Sequence, residues 1–310
     1  MGGSYHIPVL RDKVLEYLRV RENGFYVDCT LGGGGHAEAI LDGGGTVWGI
    51  DRDESAVSHA ADRLNRFGVR FRAVREKFSR IVSVVGVHAG AVDGVLMDLG
   101  VSSRMIDNPT RGFSYLSDGP LLMDMGLGDI RADEIVNTWN ASKLAKVFRD
   151  YGEERHARRI ADAIIRNRST AAISTTRELA DIIEQVVGGR FPQKSKARIF
   201  QALRIAVNDE FEELRRGLAG ARDVLCPGGR LCVISYHSLE DRIVKNFMRR
   251  EEHPCVCPPD LPVCRCGRRA VMRVVTRRPV KPDDREIVGN PRARSALLRV
   301  VEKLGSGDDA

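Results

Sequence analysis

The chain has 310 residues, 43% of them hydrophobic and 29% charged. At ~150 residues per domain that allows about two domains and excludes a disordered chain. No apolar run approaches the ~18 residues a membrane span requires, and Met1 to Leu10 lack a charged region followed by an apolar core. Neither a membrane anchor nor a secretory signal is expected, and the reading is cytoplasmic. Lys and Arg outnumber Asp and Glu by 49 to 42, but the excess is local. Residues 141–204 hold 14 basic and 7 acidic side chains, residues 265–299 hold 11 and 3, and the rest is net acidic. Clustered positive charge is the footprint of a polyanion partner, because neutralised phosphates release counterions. Solvated helix faces give the same pattern.

Along the chain, Phe25 to Cys29 is a short apolar run ending in the glycine cluster Gly32 to Gly35, and Ala37 to Leu41 reads as a helix. Thr46 to Ile50 predicts a second strand, Glu54 to Phe67 a helix, Val69 to Val74 a third strand and Val92 to Leu96 a fourth. This alternation predicts an α/β domain with a parallel sheet covered by helices on both faces. From about Met105 to Asp209 the strand signals stop. Ser142 is placed to cap a helix with Leu144, Val147, Phe148 and Tyr151 on one face, Glu153 to Arg168 continues in helical period, and Thr176 is placed to cap a helix carrying Leu179, Ile182, Ile183 and Val186. A further helix through Phe211, Leu214 and Leu218 ends at Cys226-Pro227-Gly228-Gly229, and Leu231 to Ser235 resumes the sheet. The expected organisation is therefore 1–105 and 210–310 as two segments of one domain, with 106–209 as an all-helical insertion. The closing run Gly305-Ser306-Gly307-Asp308-Asp309 is expected to be disordered.

The run Asp28-Cys29-Thr30-Leu31-Gly32-Gly33-Gly34-Gly35-His36 follows the first strand and opens a helix, where glycines let the backbone turn sharply and approach a ligand. Asp51, ending the second strand, suits the ribose hydroxyls of a nucleoside cofactor. Gly32-x-Gly34-x-x-Ala37 also fits a dinucleotide fingerprint, a weak signal alone. Two features favour S-adenosylmethionine over a nicotinamide: Asp28 stands before the glycines, where a carboxylate suits an amino-acid moiety better than a pyrophosphate, and the loop holds no Lys or Arg. The helix, Pro-Gly-Gly and strand element from Pro227 to Ile234 points the same way.

Seven cysteines, an odd number, with no secretory context do not make a disulfide framework. Cys29, Cys226 and Cys232 lie in apolar runs and read as small core residues. Cys255, Cys257, Cys264 and Cys266 form two Cys-x-Cys pairs amid prolines; four thiolates can close a tetrahedral zinc site, and reduced thiols in a loop are the other reading.

Eight ordered motifs carry a specific resemblance: His6 to Leu10, Asp28 to His36, Met97 to Ser103, Arg111 to Ser114, Tyr151 to Glu154, Phe200 to Asn208, Ser235 to Asp241 and Asn290 to Ser295. Together, from His6 to about Lys303, they resemble the bacterial 16S ribosomal RNA cytosine-N4 methyltransferase family (ribosomal RNA small subunit methyltransferase H). The resemblance implies a Rossmann-like, S-adenosylmethionine-dependent methyltransferase domain interrupted by a helical RNA-recognition domain. It implies methyl transfer to the exocyclic amine of a decoding-centre cytidine of 16S rRNA in the small ribosomal subunit. It also implies cofactor contacts from Gly34, Gly35 and His36, and from Asp51, Phe78 and Asp98. Members are described as dimers, so a homodimer is one state it allows. Where the family usually reads Ser-Ser-Pro-Gln, this chain has Ser102-Ser103-Arg104-Met105, so a contact at Met105 would run through its backbone or be absent. The run Gly119 to Gly126 also departs from the usual acidic and basic pattern, which keeps a catalytically silent rRNA-binding assembly factor as the alternative.

Transfer to an amine needs a group that orients the nitrogen and takes its proton. Asp98, ending the fourth strand, and His237, after the fifth, are the candidates, and Asp98 could serve the cofactor instead. Phe113, Tyr115 and Tyr236 are candidates to stack on a splayed-out base, with core packing the alternative for each. Arg155, Arg158, Arg159, Lys194, Lys196 and Arg198, with the Arg-rich tail, are the expected phosphate contacts.

Overall fold

The computed structural model describes residues 8–189, 192–258, 263 and 265–305. His6, Ile7 and Cys264 lie outside these, as do residues 306–310. The described residues divide into two compact units, 1–100 with 211–310 and 101–210, so that the inserted segment begins five residues before the position expected from the sequence.

The first unit is built on a seven-stranded sheet in the order β3-β2-β1-β4-β5-β7-β6. Its first segment supplies α1 (Arg11–Leu18), β1 (Phe25–Asp28), α2 (Gly35–Asp42), β2 (Thr46–Asp51), α3 (Glu54–Leu64), β3 (Phe71–Arg75), α4 (Ile81–Val85) and β4 (Val92–Asp98). The inserted segment supplies α5 (Ser103–Asp107), α6 (Ala132–Thr138), α7 (Ala141–Asp150), α8 (Ala157–Arg168), α9 (Thr176–Val187) and α10 (Pro192–Asn208). The chain then returns through α11 (Glu210–Val224), β5 (Leu225–Ser235), α12 (Ser238–Glu252), β6 (Met272–Val274), α13 (Asp284–Gly289) and β7 (Leu297–Lys303).

Strands β1 to β5 are parallel, whereas β7 runs antiparallel to both β5 and β6, so the sheet is mixed rather than wholly parallel. Alternation of side chains sends successive residues to opposite faces. Val27, Val95, Met97, Leu231 and Val233 join a core with α4, α11 and α12. Tyr26, Leu96, Cys232 and Ile234 join a second core with α1, α2 and α3. Both faces are thereby covered, which is why the strands read as continuous apolar runs. The order 3-2-1 reverses between β1 and β4, and in an open α/β sheet a ligand crevice forms beyond the carboxyl ends at such a reversal.

The second unit is helical, with Pro120 and Thr175 forming an isolated bridge. Its core brings together Leu144, Phe148, Ile160, Ile164, Leu179, Ile183, Phe200 and Leu203. Two caps differ from expectation. Asn140, not Ser142, caps α7 by accepting from Lys143 N at 2.8 Å. Thr175, not Thr176, caps α9 in a capping box with Glu178, while Thr176 is buried and bonds Ser117 O and Gly119 N. Helix α8 starts at Ala157 rather than Glu153, which takes a left-handed φ of 50°.

Several motifs are explained within this unit. Gly152 sits where an added Cβ would meet Arg198 O at 2.6 Å and Phe148 O at 2.8 Å, so only glycine lets α7 and α10 close up. Asn208 donates to Met123 O and accepts from Met125 N, and Arg111 donates to Asp124 O, which pins the divergent run with Leu121 and Met123 buried.

Candidate active site at the carboxyl edge of the sheet

Beyond the reversal stand three carboxylates, one per strand end: Asp28 on β1, Asp51 on β2 and Asp98 on β4. The glycine loop is tied to the second of them. Gly32, at a φ of 48°, donates its N–H to Asp51 Oδ2 at 2.8 Å, and Asp53 N donates to Asp51 Oδ1 at 2.9 Å. The Arg52 N–H also bonds this carboxylate, which keeps acceptor capacity for a ligand hydroxyl. Gly34, at a φ of 77°, caps α2, which brings Gly35 and His36 into its first turn. Pro8 packs against Gly35, where an added Cβ would lie 2.6 Å from Pro8 Cγ.

Thr30 links the other two carboxylates: its N–H donates to Asp28 Oδ1 at 3.1 Å, and its Oγ1 accepts from Asp98 N at 2.7 Å. Asp28 is 1% exposed, and burial pushes its carboxyl up to about 6, with the Asp98 and Asp51 charges adding to the rise and His36 and the Thr30 bond opposing it. Burial also raises Asp51, against the hydrogen bonds from Asp53 and Gly32. His36 is buried, with Nε2 3.7 Å from Asp98 Oδ2 and no hydrogen bond to it. The sheet edge thus gathers three carboxylates; Arg63 donates to Gly33 O at 2.8 Å in the glycine loop and is itself paired with Glu38.

Tyr236, just after β5, donates its hydroxyl proton to Asp98 Oδ1 at 2.8 Å. Burial, and then the adjacent Asp98, push the phenol far above its ordinary range, so it remains a donor. Its bond fixes one oxygen of Asp98 and leaves Oδ2 to accept from a ligand. Of its two expected roles, the structure shows the hydroxyl committed to Asp98 and the partly buried ring packed against the core. Phe113 and Tyr115 likewise pack on the helical core, Tyr115 edge-on to Phe200.

His237 is the N-cap of α12. Glu240 N approaches its Nδ1 at 3.4 Å, and Glu240 Oε2 accepts from the backbone N–H groups of Tyr236 and His237. Nδ1 acts as the acceptor, and Nε2 is buried, 3.1 Å from Glu240 Oε1 without hydrogen-bond geometry. The structure therefore gives His237 a capping role that positions Tyr236, rather than an open proton acceptor. Phe78 follows β3 and packs its ring onto Gly217 of α11, so one side of the ring belongs to the core. Met105 is buried and its N–H serves the Ser102 cap of α5, which leaves neither its N–H nor its thioether as a donor.

Thr30 and the Tyr236–Asp98 pair were not singled out as site residues by the sequence, although Asp-x-Thr at a strand end is the spacing of a side-chain turn. Of the expected phosphate contacts, Arg155 and Lys194 are exposed. Arg158 pairs with Asp162 and Arg159 donates to Val186 O, both at the surface. Lys196 is largely buried and paired with Glu184, so its charge is spent within the unit, whereas Arg198 lies 3.8 Å from the buried Glu154 with its side chain 42% exposed. Cys255, Cys257 and Cys266 converge, with their sulfurs within 4.8 Å of one another.

The MraW methylase family model matches residues 3–304. The chain is 50% identical over 304 residues to the ribosomal RNA small subunit methyltransferase H of Carboxydothermus hydrogenoformans, covering 96% of this chain and 98% of that protein. It is 49% identical over 314 residues to the protein of the same name from Symbiobacterium thermophilum, covering 99% of each. Among solved structures, an rRNA methylase from Streptococcus thermophilus aligns with a TM-score of 0.45 at 10% identity, covering 97% of this chain and 100% of that one.

Proposed function

The chain belongs to the MraW methylase family, and from that premise we propose that it transfers a methyl group from S-adenosylmethionine to the exocyclic N4 amine of a decoding-centre cytidine in 16S rRNA. The coarser activity, S-adenosylmethionine-dependent methylation of ribosomal RNA, goes with the family. The observation that carries the finer reading is the set of three carboxylates at the ends of β1, β2 and β4, one of them held by a buried tyrosine hydroxyl.

The residues fit this cofactor. A pocket that buries Asp28 beside Asp98 and Asp51 disfavours a phosphate and favours a cation, and S-adenosylmethionine carries a sulfonium and an ammonium. In this reading Asp51 accepts from the ribose hydroxyls, Gly34 and Gly35 let the backbone approach, and Asp28 and His36 face the amino-acid end. When bound, the cofactor supplies an electrophilic methyl whose leaving group is a neutral thioether.

Asp98 then acts on the other reactant. Its Oδ2 accepts a hydrogen bond from the cytosine amine, which aims the nitrogen at the methyl, and takes the proton that the nitrogen sheds as the new bond forms. Tyr236 is a positioning residue: it holds Oδ1 so that Oδ2 presents one geometry. His237 fixes the start of α12 and hence Tyr236. The helical unit, with Arg155, Arg158, Arg159 and Lys194 at its surface, binds rRNA phosphates, and the target base is splayed out of its stack to reach Asp98.

The test is incubation with methyl-labelled S-adenosylmethionine and small ribosomal subunits lacking the modification, followed by mass spectrometry of the labelled nucleoside. Label on N4-methylcytidine is expected. Label on another atom or nucleoside overturns the assignment, and cofactor binding without transfer to any rRNA particle would favour the silent assembly factor.

A further inference from the structure

We propose that Cys255, Cys257 and Cys266 bind a zinc ion that staples the loop between α12 and β6. The loop is anchored at its base: Val271 N donates to Glu251 O at 3.0 Å and Val274 N to Glu252 Oε1 at 2.9 Å. Between these anchors it has little core of its own, because Val256 and Val263 are 63% and 70% exposed and Cys255 is exposed as well. A cysteine normally gathers with others by being buried as a small apolar side chain. Here one exposed and two half-buried cysteines bring their sulfurs together, and none of them is buried in a core that would account for the convergence.

The geometry is that of a metal site. Cys255 and Cys266 have their sulfurs 3.9 Å apart, far beyond the ~2.05 Å of a disulfide. Two thiolates at Zn–S distances of ~2.3 Å in a tetrahedron stand roughly 3.8 Å apart. The third sulfur, of Cys257, accepts the N–H of Arg265 at 3.4 Å, the kind of bond that stabilises a metal-bound thiolate. Gly267, at a φ of 63°, turns the chain directly after Cys266. Three thiolates and a dication leave one negative charge, which the exposed Arg265, Arg268 and Arg269 offset. Binding releases one proton for each thiol that becomes a ligand, with no change of oxidation state. Soft sulfur donors in this arrangement select zinc over calcium or magnesium. The ion holds an arginine-bearing loop in one conformation.

The full-length protein, purified from zinc-supplemented growth without chelator, is analysed for metal by mass spectrometry and digested briefly with trypsin. About one zinc per chain is expected, as three thiolate ligands hold the ion tightly through purification. Cys255→Ser and Cys266→Ser should each lose most of it, whereas Cys226→Ser, outside the loop, should keep it. Chelation should speed cleavage after Arg265, Arg268 and Arg269 more than tenfold, and added zinc should reverse this. Cobalt uptake gives a second readout through its thiolate charge-transfer absorption, and circular dichroism checks that each variant is folded. Zinc content unchanged by the loop substitutions overturns the proposal. So does a folded wild-type chain that takes up neither zinc nor cobalt, or a Cys255–Cys266 disulfide found by peptide mapping.

Discussion

Substituting Asp28 by Asn should stabilise the ligand-free protein at neutral pH while weakening its hold on the cofactor. The carboxyl is buried at the end of β1, and burial lifts it from an ordinary 3.8 to about 6. At 1.36 kcal/mol for each tenfold change, such a rise corresponds to about 3 kcal/mol. Because the native value lies above the unfolded one, the native state binds the proton more tightly. The contribution to stability is complete below pH 3.8, declines as pH rises, and is lost above about 6. Asparagine carries no charge to desolvate, and its carbonyl still accepts the Thr30 N–H that now meets Oδ1 at 3.1 Å. Urea melts of the two proteins should nearly coincide near pH 4 and separate by roughly 2–3 kcal/mol in favour of the variant at pH 7.5. Titration calorimetry should show the reverse for S-adenosylmethionine, with affinity falling about 10- to 100-fold for loss of a charge-assisted contact of ~1.5–3 kcal/mol. A stability difference that does not change with pH, or a variant less stable at pH 7.5, would refute the reasoning.

Tyr236→Phe removes the proton donor to Asp98 and keeps the ring, so kcat for rRNA methylation should fall about 10- to 100-fold while the Kd for S-adenosylmethionine moves less than about threefold; an unchanged kcat would remove Tyr236 from the mechanism. Arg155→Ala and Lys194→Ala should each lower by about one the slope of log affinity for rRNA against log salt, measured by filter binding, whereas Lys196→Ala should leave the slope nearly intact because its charge is spent on Glu184. Gly152→Ala drives a methyl group into two backbone carbonyls and should cost about 1–3 kcal/mol, read as a lower Tm with secondary structure retained below the transition.

The sequence made β1, β2 and β4 legible because both faces of each are buried and the pattern is a plain apolar run. It was silent on strand direction at the far edge: Ala296 to Val301 reads as apolar whichever way it runs, and β6, three residues long, gives no period to detect. The Pro227-Gly228-Gly229 turn read as a boundary, yet β5 spans it, and the register against β4 slips between Val92 and Gly94 to absorb the irregularity. Caps shifted by one or two residues because any Ser, Thr or Asn in a short run fits the rule, and only the backbone decides which side chain reaches the open N–H groups. His237 invited a proton-relay reading, although His-x-x-Glu before an apolar run also has the spacing of the capping box it forms.

Charge counting was informative in total and ambiguous by residue. In the basic stretch 265–299, Arg299 is buried in a two-pronged pair with Asp241, and Arg273 joins Arg230 on Glu302. Those charges hold β7 to α12, β5 and β6, and the buried Arg299 and Arg230 are not available to phosphates. What no count reveals is the opposite arrangement at the sheet edge, where carboxylates are gathered against their own repulsion. Asp28 and Asp51 are both driven toward protonation by burial, a cost a folded protein can remove by substituting either. Asp51 offsets its share by fixing the Gly32 and Asp53 N–H groups, and in the proposed reading Asp28 offsets its own through the positive charge of the cofactor's amino-acid end. What sets this edge apart from a phosphate site is therefore the carboxylates themselves, since a phosphate placed beside Asp28 and Asp98 would meet like charge, whereas a sulfonium or an ammonium would meet its opposite.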